Sequence, residues 1–207
     1  MYTLYGCKGC GSAAIEAALT LVGAPYQYIE AEPWSGGPAI DELRRLNPLA
    51  QVPTLLTQDG AVLTESAAIL IWLADQYPAS HLLPTDATSR ATVLRWLVYL
   101  TANAYAAIGI GDFPERWIAG EAEQGSLKAF ARARLEDYWR TLERQLGDTP
   151  YLFTDKLTAL DLLAATMSHW RPGRDWFQQE CPKLTAALQS TLSHATLAPI
   201  WIRNFNA

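Results

Sequence analysis

The sequence predicts an α/β domain followed by an all-helical domain within its 207 residues. Strand-like and helix-like segments alternate in the amino-terminal part of the chain. An Asp-Gly pair at residues 59–60 lies between two short apolar runs, which is a hairpin signal. From Thr88 onward the strand signals vanish, and two long segments show helical spacing. These three observations together indicate the two-part α/β plus all-α class.

The first segments predict a strand, a helix and a second strand. Residues 1–5 have the pattern of a short strand, and a helical pattern begins at Ser12. Its apolar face comprises Ile15, Ala18, Leu19 and Val22. Gly23 and Pro25 end this helix. Residues 26–29 are rich in aromatic and branched side chains, and because a helix connects the two strands, we expect them to pair in parallel.

A short helix, a hairpin and a further helix complete the first domain. The short helix covers residues 39–46 and stops before Pro48, since the residue before a proline disfavours helix. Strands at 53–57 and 61–64 form the hairpin, and a helix at 65–77 follows. The order strand, helix, strand, helix, strand, strand, helix is the thioredoxin-like order, with a mixed sheet and helices on both faces.

The rest of the chain predicts a helical bundle domain, because segments 89–107 and 126–146 both show helical spacing. The apolar stripe of the second segment comprises Leu127, Ala131, Leu135, Tyr138, Leu142 and Leu146. We therefore predict an N-terminal thioredoxin-like domain at 1–78, a linker at 79–87 and a C-terminal all-helical domain at 88–207.

Composition argues against several kinds of partner. The net charge is −5 without a block of like charges, so we expect no nucleic acid and no anionic membrane surface. The longest apolar run, 67–74, is shorter than the roughly 20 residues that span a bilayer. Three cysteines, an odd number, indicate reduced thiols and a cytoplasmic location. Three scattered histidines predict no metal site.

The sequence Cys7-Lys8-Gly9-Cys10 lies between the first strand and the first helix. Free amides and the helix dipole lower a thiol pKa there, and Lys8 would favour thiolate further. We expect the lower pKa at Cys10, which lies nearer the helix. Ser12 competes with both thiols, because its hydroxyl could donate to a bound thiolate. The alternatives are two buried structural cysteines and a serine that only caps the helix.

Two further positions could bind an extended ligand with a free amino acid end. If the Val52-Pro53 bond is cis, the amide and carbonyl of Val52 face outward, ready to pair as an added strand would. Glu65 and Ser66 begin the next helix, where amides and a hydroxyl can accept a carboxylate and Glu65 can pair with an ammonium. An ordinary trans proline and a plain acidic helix cap are the alternatives.

These segments together resemble the glutathione transferase superfamily. The resemblance covers nearly the whole chain and includes the loop after Tyr5, Val52-Pro53 and Glu65-Ser66. It implies that glutathione is the co-substrate, that Val52 holds its cysteinyl backbone, and that Glu65 and Ser66 hold its γ-glutamyl end, with Gln51 close by. Residues 157–162 similarly resemble the capping box and hydrophobic staple of the family, in which Thr158 and Asp161 cap each other's backbone.

The resemblance does not decide which residue activates the thiol of glutathione. Counted from the strand, Cys10 matches the cysteine of the bacterial beta class, whereas counting from the helix end gives Gly11. Cys7 lies where a glutaredoxin carries its reactive cysteine, and Tyr5 where tyrosine-type transferases carry theirs, although Tyr5 also fits a packed strand residue.

The function that follows depends on that residue. With Ser12 or Tyr5 as donor, glutathione is conjugated to a small hydrophobic electrophile, which makes the chain a transferase of the detoxification type. With Cys10 or Cys7, a mixed disulfide favours thiol transfer or disulfide reduction. The third alternative is a binding protein without catalysis. Candidates to line the second-substrate site are Tyr105, Phe113, Trp117, Trp170, Arg174 and Trp176. The resemblance and eight tryptophans predict a homodimer.

Overall fold

A four-stranded mixed sheet is the centre of the amino-terminal half in the computed structural model, which describes residues 1–206. The strands are β1 (Tyr2–Gly6), β2 (Tyr26–Glu30), β3 (Thr54–Leu56) and β4 (Val62–Leu63), in the order β2-β1-β3-β4. Strand β1 pairs in parallel with β2, so that Tyr2 lies opposite Tyr26, and antiparallel with β3. The predicted parallel pair and hairpin are confirmed.

Three helices cover this sheet: α1 (Ser12–Leu21), α2 (Pro38–Leu46) and α3 (Ser66–Gln76). The sequence predicts one apolar face for α1, but every residue from Ser12 to Leu19 is buried. The reason is that α1 lies between the sheet and the helical half of the chain, which covers its second face. A helix covered on all sides is mostly apolar, as the many alanines of α1 allow.

The second half of the chain is helical. Its helices are α4 (Ala87–Tyr99), α5 (Ala106–Asp112), α6 (Glu121–Gln145), α7 (Ala159–Ser168), α8 (Arg174–Glu180), α9 (Pro182–Leu192) and α10 (Ala198–Phe205). A π-helical segment, Leu100–Tyr105, joins α4 to α5. The capping box at the start of α7 is present as predicted, with Thr158 and Asp161 bonded to each other. The thioredoxin-like domain followed by a helical domain is therefore confirmed.

One hydrophobic core runs through both halves. It includes Leu4 and Leu70 from the sheet side together with Leu163 from α7, all completely buried. Within the predicted linker, Leu82 and Leu83 are buried in the same core, and the amide of Ala159 donates to the carbonyl of Leu82 at 2.8 Å. The middle of the segment at 79–87 is thus packed on the core, while its two ends are mostly exposed. The domain limits at 78 and 88 stay a prediction.

The helical run Ala87–Asp112 is long and apolar enough, by length and composition alone, to cross a membrane. It has 26 residues, and polar residues interrupt it, so that it contains no long unbroken apolar stretch. Val93, Trp96, Leu97 and Leu100 of this run are buried in the common core. Such burial is typical of a central helix in a folded domain.

Candidate functional site

The thiol loop, residues 7–11, connects β1 to α1. The amide of Cys10 donates to the carbonyl of Cys7 at 3.1 Å, and Gly9 between them has a φ of +75°, which favours glycine. Cys7 is buried and Cys10 is half-buried, so only Cys10 offers its sulfur to solvent and ligands. The alternative of two buried cysteines therefore holds for Cys7 and not for Cys10.

Ser12 holds this loop to the helix. Its hydroxyl donates to the carbonyl of Cys7 at 3.1 Å and accepts from the amide of the same residue at 3.1 Å. The side chain is completely buried. In this arrangement the hydroxyl of Ser12 is covered and bonded to the loop. Its donation to a bound thiolate stays a prediction.

Tyr5 faces away from the thiol loop. It packs with Ala31, Ile40 and Leu43 in a small cluster between the sheet and α2, where it is 1% exposed. Burial, with a hydrogen bond to Glu42, raises the pKa of Tyr5 to about 12. The packed-residue interpretation of Tyr5 is the one that this placement supports.

The thiols do not have the low pKa values that the sequence predicts. Burial raises the pKa of Cys10, and the carboxylates of Glu30 and Glu32 raise it further, while a hydrogen bond from Cys7 acts in the opposite direction. Burial also raises the pKa of Cys7 strongly, and bonding to Cys10 adds to this increase. Burial and two acidic neighbours at the end of β2 thus outweigh the helix dipole. Cys10 remains the more acidic of the pair, because Cys7 lowers the pKa of Cys10 whereas Cys10 raises that of Cys7.

The same neighbours form the one grouping of metal-ligand types that residues 1–206 contain. The ligand atoms of Cys7, Glu30 and Glu32 lie within 4.8 Å of one another. Glu30 already accepts the amide of Lys8 at 2.9 Å, and both carboxylates lie at or near the surface. This cluster acts on the thiols through its negative charge.

The loop before β3 presents a free backbone edge. The Val52-Pro53 bond is cis, and within the described chain the amide and carbonyl of Val52 bond to no other residue. Asn47 fixes the loop from inside: its buried amide donates to the carbonyl of Gln51 at 3.2 Å and to the hydroxyl of Thr54 at 3.1 Å. The side chain of Gln51 itself is exposed. The role of Asn47 was not predicted, although a polar residue before Pro48 is a turn signal.

Glu65 is the residue before the first turn of α3, and its backbone is unusual. It has φ +65° and ψ +113°, a region that a residue with a Cβ rarely adopts. Its side chain is exposed and has no hydrogen-bond or ion-pair partner among residues 1–206. No side chain caps α3, so its first amides are available to an anion. Ser66 beside them is almost completely buried.

Tyr105, from the π-helical segment, lies between the thiol loop and the start of α3. A Cβ on Gly11 would come within 2.6 Å of the Tyr105 hydroxyl, which explains the glycine. Burial raises the pKa of Tyr105, and the charges of Cys10 and Glu65 raise it further. The tyrosine is thus close to the thiol loop and to the start of α3, and π-helical turns often occur at functional sites.

The other aromatic candidates are placed differently. Trp170 contacts the thiol loop directly through its indole nitrogen, which donates to the carbonyl of Gly9 at 2.7 Å. Trp176 packs against Phe177 instead. Phe113 lies under the guanidinium of Arg116, and Trp117 is 66% exposed. The structure brings Tyr105 and Trp170 to the thiol loop, and their rings meet edge to face at 5.1 Å.

The chain matches two family models. The one described as "Glutathione S-transferase, N-terminal domain" matches residues 12–76, and the one described as "Glutathione S-transferase, C-terminal domain" matches residues 112–199. An Escherichia coli K12 relative, "Uncharacterized GST-like protein YncG", is 34% identical over 205 residues, covering 99% of this chain and 98% of that one. "Glutathione S-transferase GstA" of Escherichia coli O157:H7 is 31% identical over 134 residues, with 63% and 62% covered.

Solved structures have the same fold. A glutathione transferase homolog from Sulfitobacter with bound glutathione has a TM-score of 0.84 at 22% identity, and 99% of each chain is covered. A glutathione S-transferase from Methylobacterium radiotolerans, in complex with glutathione sulfonate, has a TM-score of 0.80 at 25% identity, with 96% of this chain and 93% of that one covered.

Proposed function

Because the chain belongs to the glutathione S-transferase family, we propose that it binds glutathione and transfers the glutathione sulfur to a small hydrophobic electrophile. The observation that carries the proposal is Glu65, a residue of positive φ whose exposed carboxylate has no partner among residues 1–206. Such backbone conformations persist where a site requires them. Glutathione bound in one solved structure of the same fold, and glutathione sulfonate bound in another, support the proposal.

The proposed orientation follows from the charges and the free backbone groups. The carboxylate of Glu65 pairs with the ammonium of the γ-glutamyl residue, whose carboxylate accepts from the first amides of α3 and from Ser66. The cysteinyl residue of glutathione pairs with the amide and carbonyl of Val52, beside Gln51. This orientation directs the glutathione sulfur to the thiol loop, between Cys10 and Tyr105.

Conjugation is the reaction that the raised pKa values favour. A thiol or phenol with a raised pKa keeps its proton at neutral pH and is therefore a hydrogen-bond donor. Cys10 and Tyr105 are donors of this kind, and both would stabilise glutathione as thiolate. The thiolate then attacks the carbon of the electrophile and displaces its leaving group. Tyr105 and Trp170 offer apolar surface for that second substrate, whose identity the proposal leaves at the class of small hydrophobic electrophiles.

Calorimetry with glutathione and turnover of an activated aryl chloride test the proposal. We expect Glu65→Ala to weaken glutathione binding by roughly 2 kcal/mol, since a charged pair loses one member, and Glu65→Gln to show an intermediate loss. Tyr105→Phe should lower kcat while it leaves glutathione binding nearly unchanged. Unaltered affinity in Glu65→Ala would refute the binding site.

A second candidate reaction is glutathione-dependent thiol transfer or disulfide reduction. It is favoured by the proximity of Cys7, which lowers the pKa of Cys10 while Cys10 raises that of Cys7, so that Cys10 is the more acidic thiol of the pair. The Cys10 thiolate would attack a disulfide, form a mixed disulfide and release the other half as thiolate, and glutathione or Cys7 would then resolve it. Mass spectrometry that finds glutathione attached to Cys10, and turnover lost in Cys10→Ser, would favour this reaction.

The remaining parts of the proposal concern partners and location. Free thiols at Cys7, Cys10 and Cys181 fit the reducing cytoplasm. We propose a homodimer and expect no metal and no nucleic acid as partner. If glutathione binds saturably but no electrophile or disulfide is turned over, the chain is a binding protein without catalysis.

A further inference from the structure

The peptide groups on both sides of Gly9, at the centre of the thiol loop, are held by two side chains from the end of the helical half. The Gly9 amide donates to the side-chain oxygen of Asn204 at 3.3 Å. The Gly9 carbonyl accepts from the indole nitrogen of Trp170 at 2.7 Å. These partners lie 195 and 161 residues away along the chain, so only the tertiary fold brings them to the loop.

Asn204 is itself fixed in one orientation. Its amide nitrogen donates to the carboxylate of Glu16 at 3.1 Å and to the carbonyl of Ile200 at 3.0 Å. Glu16 lies on α1, is 1% exposed, and also accepts from the guanidinium of Arg203. Because the nitrogen end of Asn204 faces Glu16, its oxygen end must face Gly9. The buried Glu16 carboxylate is therefore connected to the thiol loop through Asn204.

Trp170 is held on the other side. Its ring meets the ring of Tyr105 edge to face, with centroids 5.1 Å apart, and Tyr105 in turn lies over Gly11. The loop is thus contacted at Gly9 by hydrogen bonds and at Gly11 by a ring. Cys10 lies between these two glycines.

We propose that Asn204 and Trp170 are positioning residues that fix Gly9, and through it the position of the Cys10 sulfur relative to a bound thiol. The reason is geometric, since Gly9 has a φ of +75° and a glycine without its two partners has many other conformations available. The proposal rests on the proposed function at Cys10. It adds a positioning role to Trp170, which also offers surface to the second substrate, and it adds Asn204, which touches neither substrate.

The titratable groups near Cys10 determine how its pKa responds when the loop is no longer held. These groups are Cys7, Tyr28, Glu30, Glu32 and Tyr105. Burial is the largest cause of the raised pKa of Cys10. If Gly9 is freed, Cys10 becomes more accessible to water, and its pKa should move down toward the ordinary value of a thiol. The sulfur would at the same time lose its fixed place beside the substrate.

The test uses Trp170→Phe, which keeps the ring contact with Tyr105 but removes the indole donor, and Asn204→Ala as the second arm. We expect each variant to lower kcat about tenfold, as for a small misplacement of a reacting group, and to change the glutathione Kd by less than about twofold. In peptide-mapped alkylation with iodoacetamide, the midpoint of the Cys10 pH profile should shift to lower pH.

Trp201→Phe is the matched control. Trp201 lies on α10, the helix that carries Asn204, and its indole nitrogen donates to the carbonyl of Thr191 at 3.4 Å, away from the loop. It should leave both kcat and the Cys10 profile unchanged. The proposal is overturned if Trp170→Phe leaves both unchanged, or if Trp201→Phe changes them equally. A wild-type chain without turnover would refute the proposed function instead, while the alkylation profiles would still test the positioning.

Discussion

Replacement of Asp161 should show how strongly the capping box at the start of α7 stabilises the fold. The carboxylate is completely buried. One oxygen accepts the amide of Leu152 at 2.7 Å, and the other accepts both the amide of Thr158 at 2.8 Å and its hydroxyl at 2.7 Å. A single side chain therefore satisfies two buried amides that the backbone of this turn cannot pair in any other way.

The expected loss can be estimated from these bonds. Asp161→Ala leaves two buried amides unpaired, at roughly 1 to 3 kcal/mol each, and relieves in part the cost of a buried carboxylate. We expect a loss of about 3 kcal/mol in the free energy of unfolding at pH 7. Thr158→Ala, which removes only the cap hydroxyl, should cost about 1 kcal/mol.

The pH dependence of the free energy of unfolding is a second and independent part of this prediction. Burial raises the pKa of Asp161 from 3.8 to about 6. Between these values the folded chain holds a proton that the unfolded chain has lost, so stability falls as the pH rises from about 4 to about 6. Asp161→Asn cannot titrate, and the stability difference between wild type and this variant should shrink by up to about 3 kcal/mol over that range.

Urea unfolding at pH 4, 5, 6 and 7, followed by tryptophan fluorescence, measures both quantities. The difference between wild type and Asp161→Asn cancels the contributions of other titrating groups. A loss below about 1 kcal/mol in Asp161→Ala would contradict the estimate from unpaired amides. A difference that grows with pH would contradict the direction of the pKa shift.

Three further predictions concern other parts of the chain. In iodoacetamide alkylation Cys10 should react before Cys7 and Cys181, with a midpoint above the ordinary thiol value, and a Cys10 midpoint below that value would show that burial does not control this thiol. His169 is stacked on Phe205 and has a pKa lowered to about 4 by burial, so its contribution to stability should be lost as the pH falls from about 6.5 to 4, and His169→Gln should remove this acid sensitivity in thermal melts. Sedimentation at micromolar concentration should give a dimer, and a monomer would refute the homodimer.

The sequence predicts the order and type of the elements well, because local signals determine them. The Asp59-Gly60 turn, the stop at Pro48 and the capping residues Thr158 and Asp161 all act over a few residues. Helix α6 is a partial exception, since it begins at Glu121, five residues before the predicted start at Ser126. The first turns of this helix are exposed and polar, so the apolar stripe that reveals the rest of it is absent there.

The backbone features of the candidate binding positions were more accessible to sequence reasoning than the pKa values of the thiols. Val52, Glu65 and Ser66 are recognised by their places at the ends of strands and helices, although the bound ligand is still a proposal. The pKa of Cys10 depends on burial and on Glu30 and Glu32, which adjoin the loop only because β2 pairs in parallel with β1. Asn204 could not have been assigned to the loop, because no local pattern connects residues 195 positions apart.

The number of tryptophans is a weak argument for a dimer. Trp96, Trp139 and Trp201 are completely buried, and only Trp34 and Trp117 are largely exposed among the eight. One core that extends through both halves hides more aromatic surface than two separate cores of the same total length would. The homodimer prediction therefore relies on the family rather than on unburied rings.

Burial of α1 on every side has a consequence for how this chain can be recombined with its relatives. The helix belongs by sequence to the thioredoxin-like half, yet its outer face packs on α7 and α10 of the other half. A chimera that joins residues 1–78 of this chain to the helical half of a relative must therefore match the face of α1 to a new pair of helices. Such an exchange should give a stable fold only when the contacting residues of α1, α7 and α10 are transplanted as a set, because these helices share one packed interface.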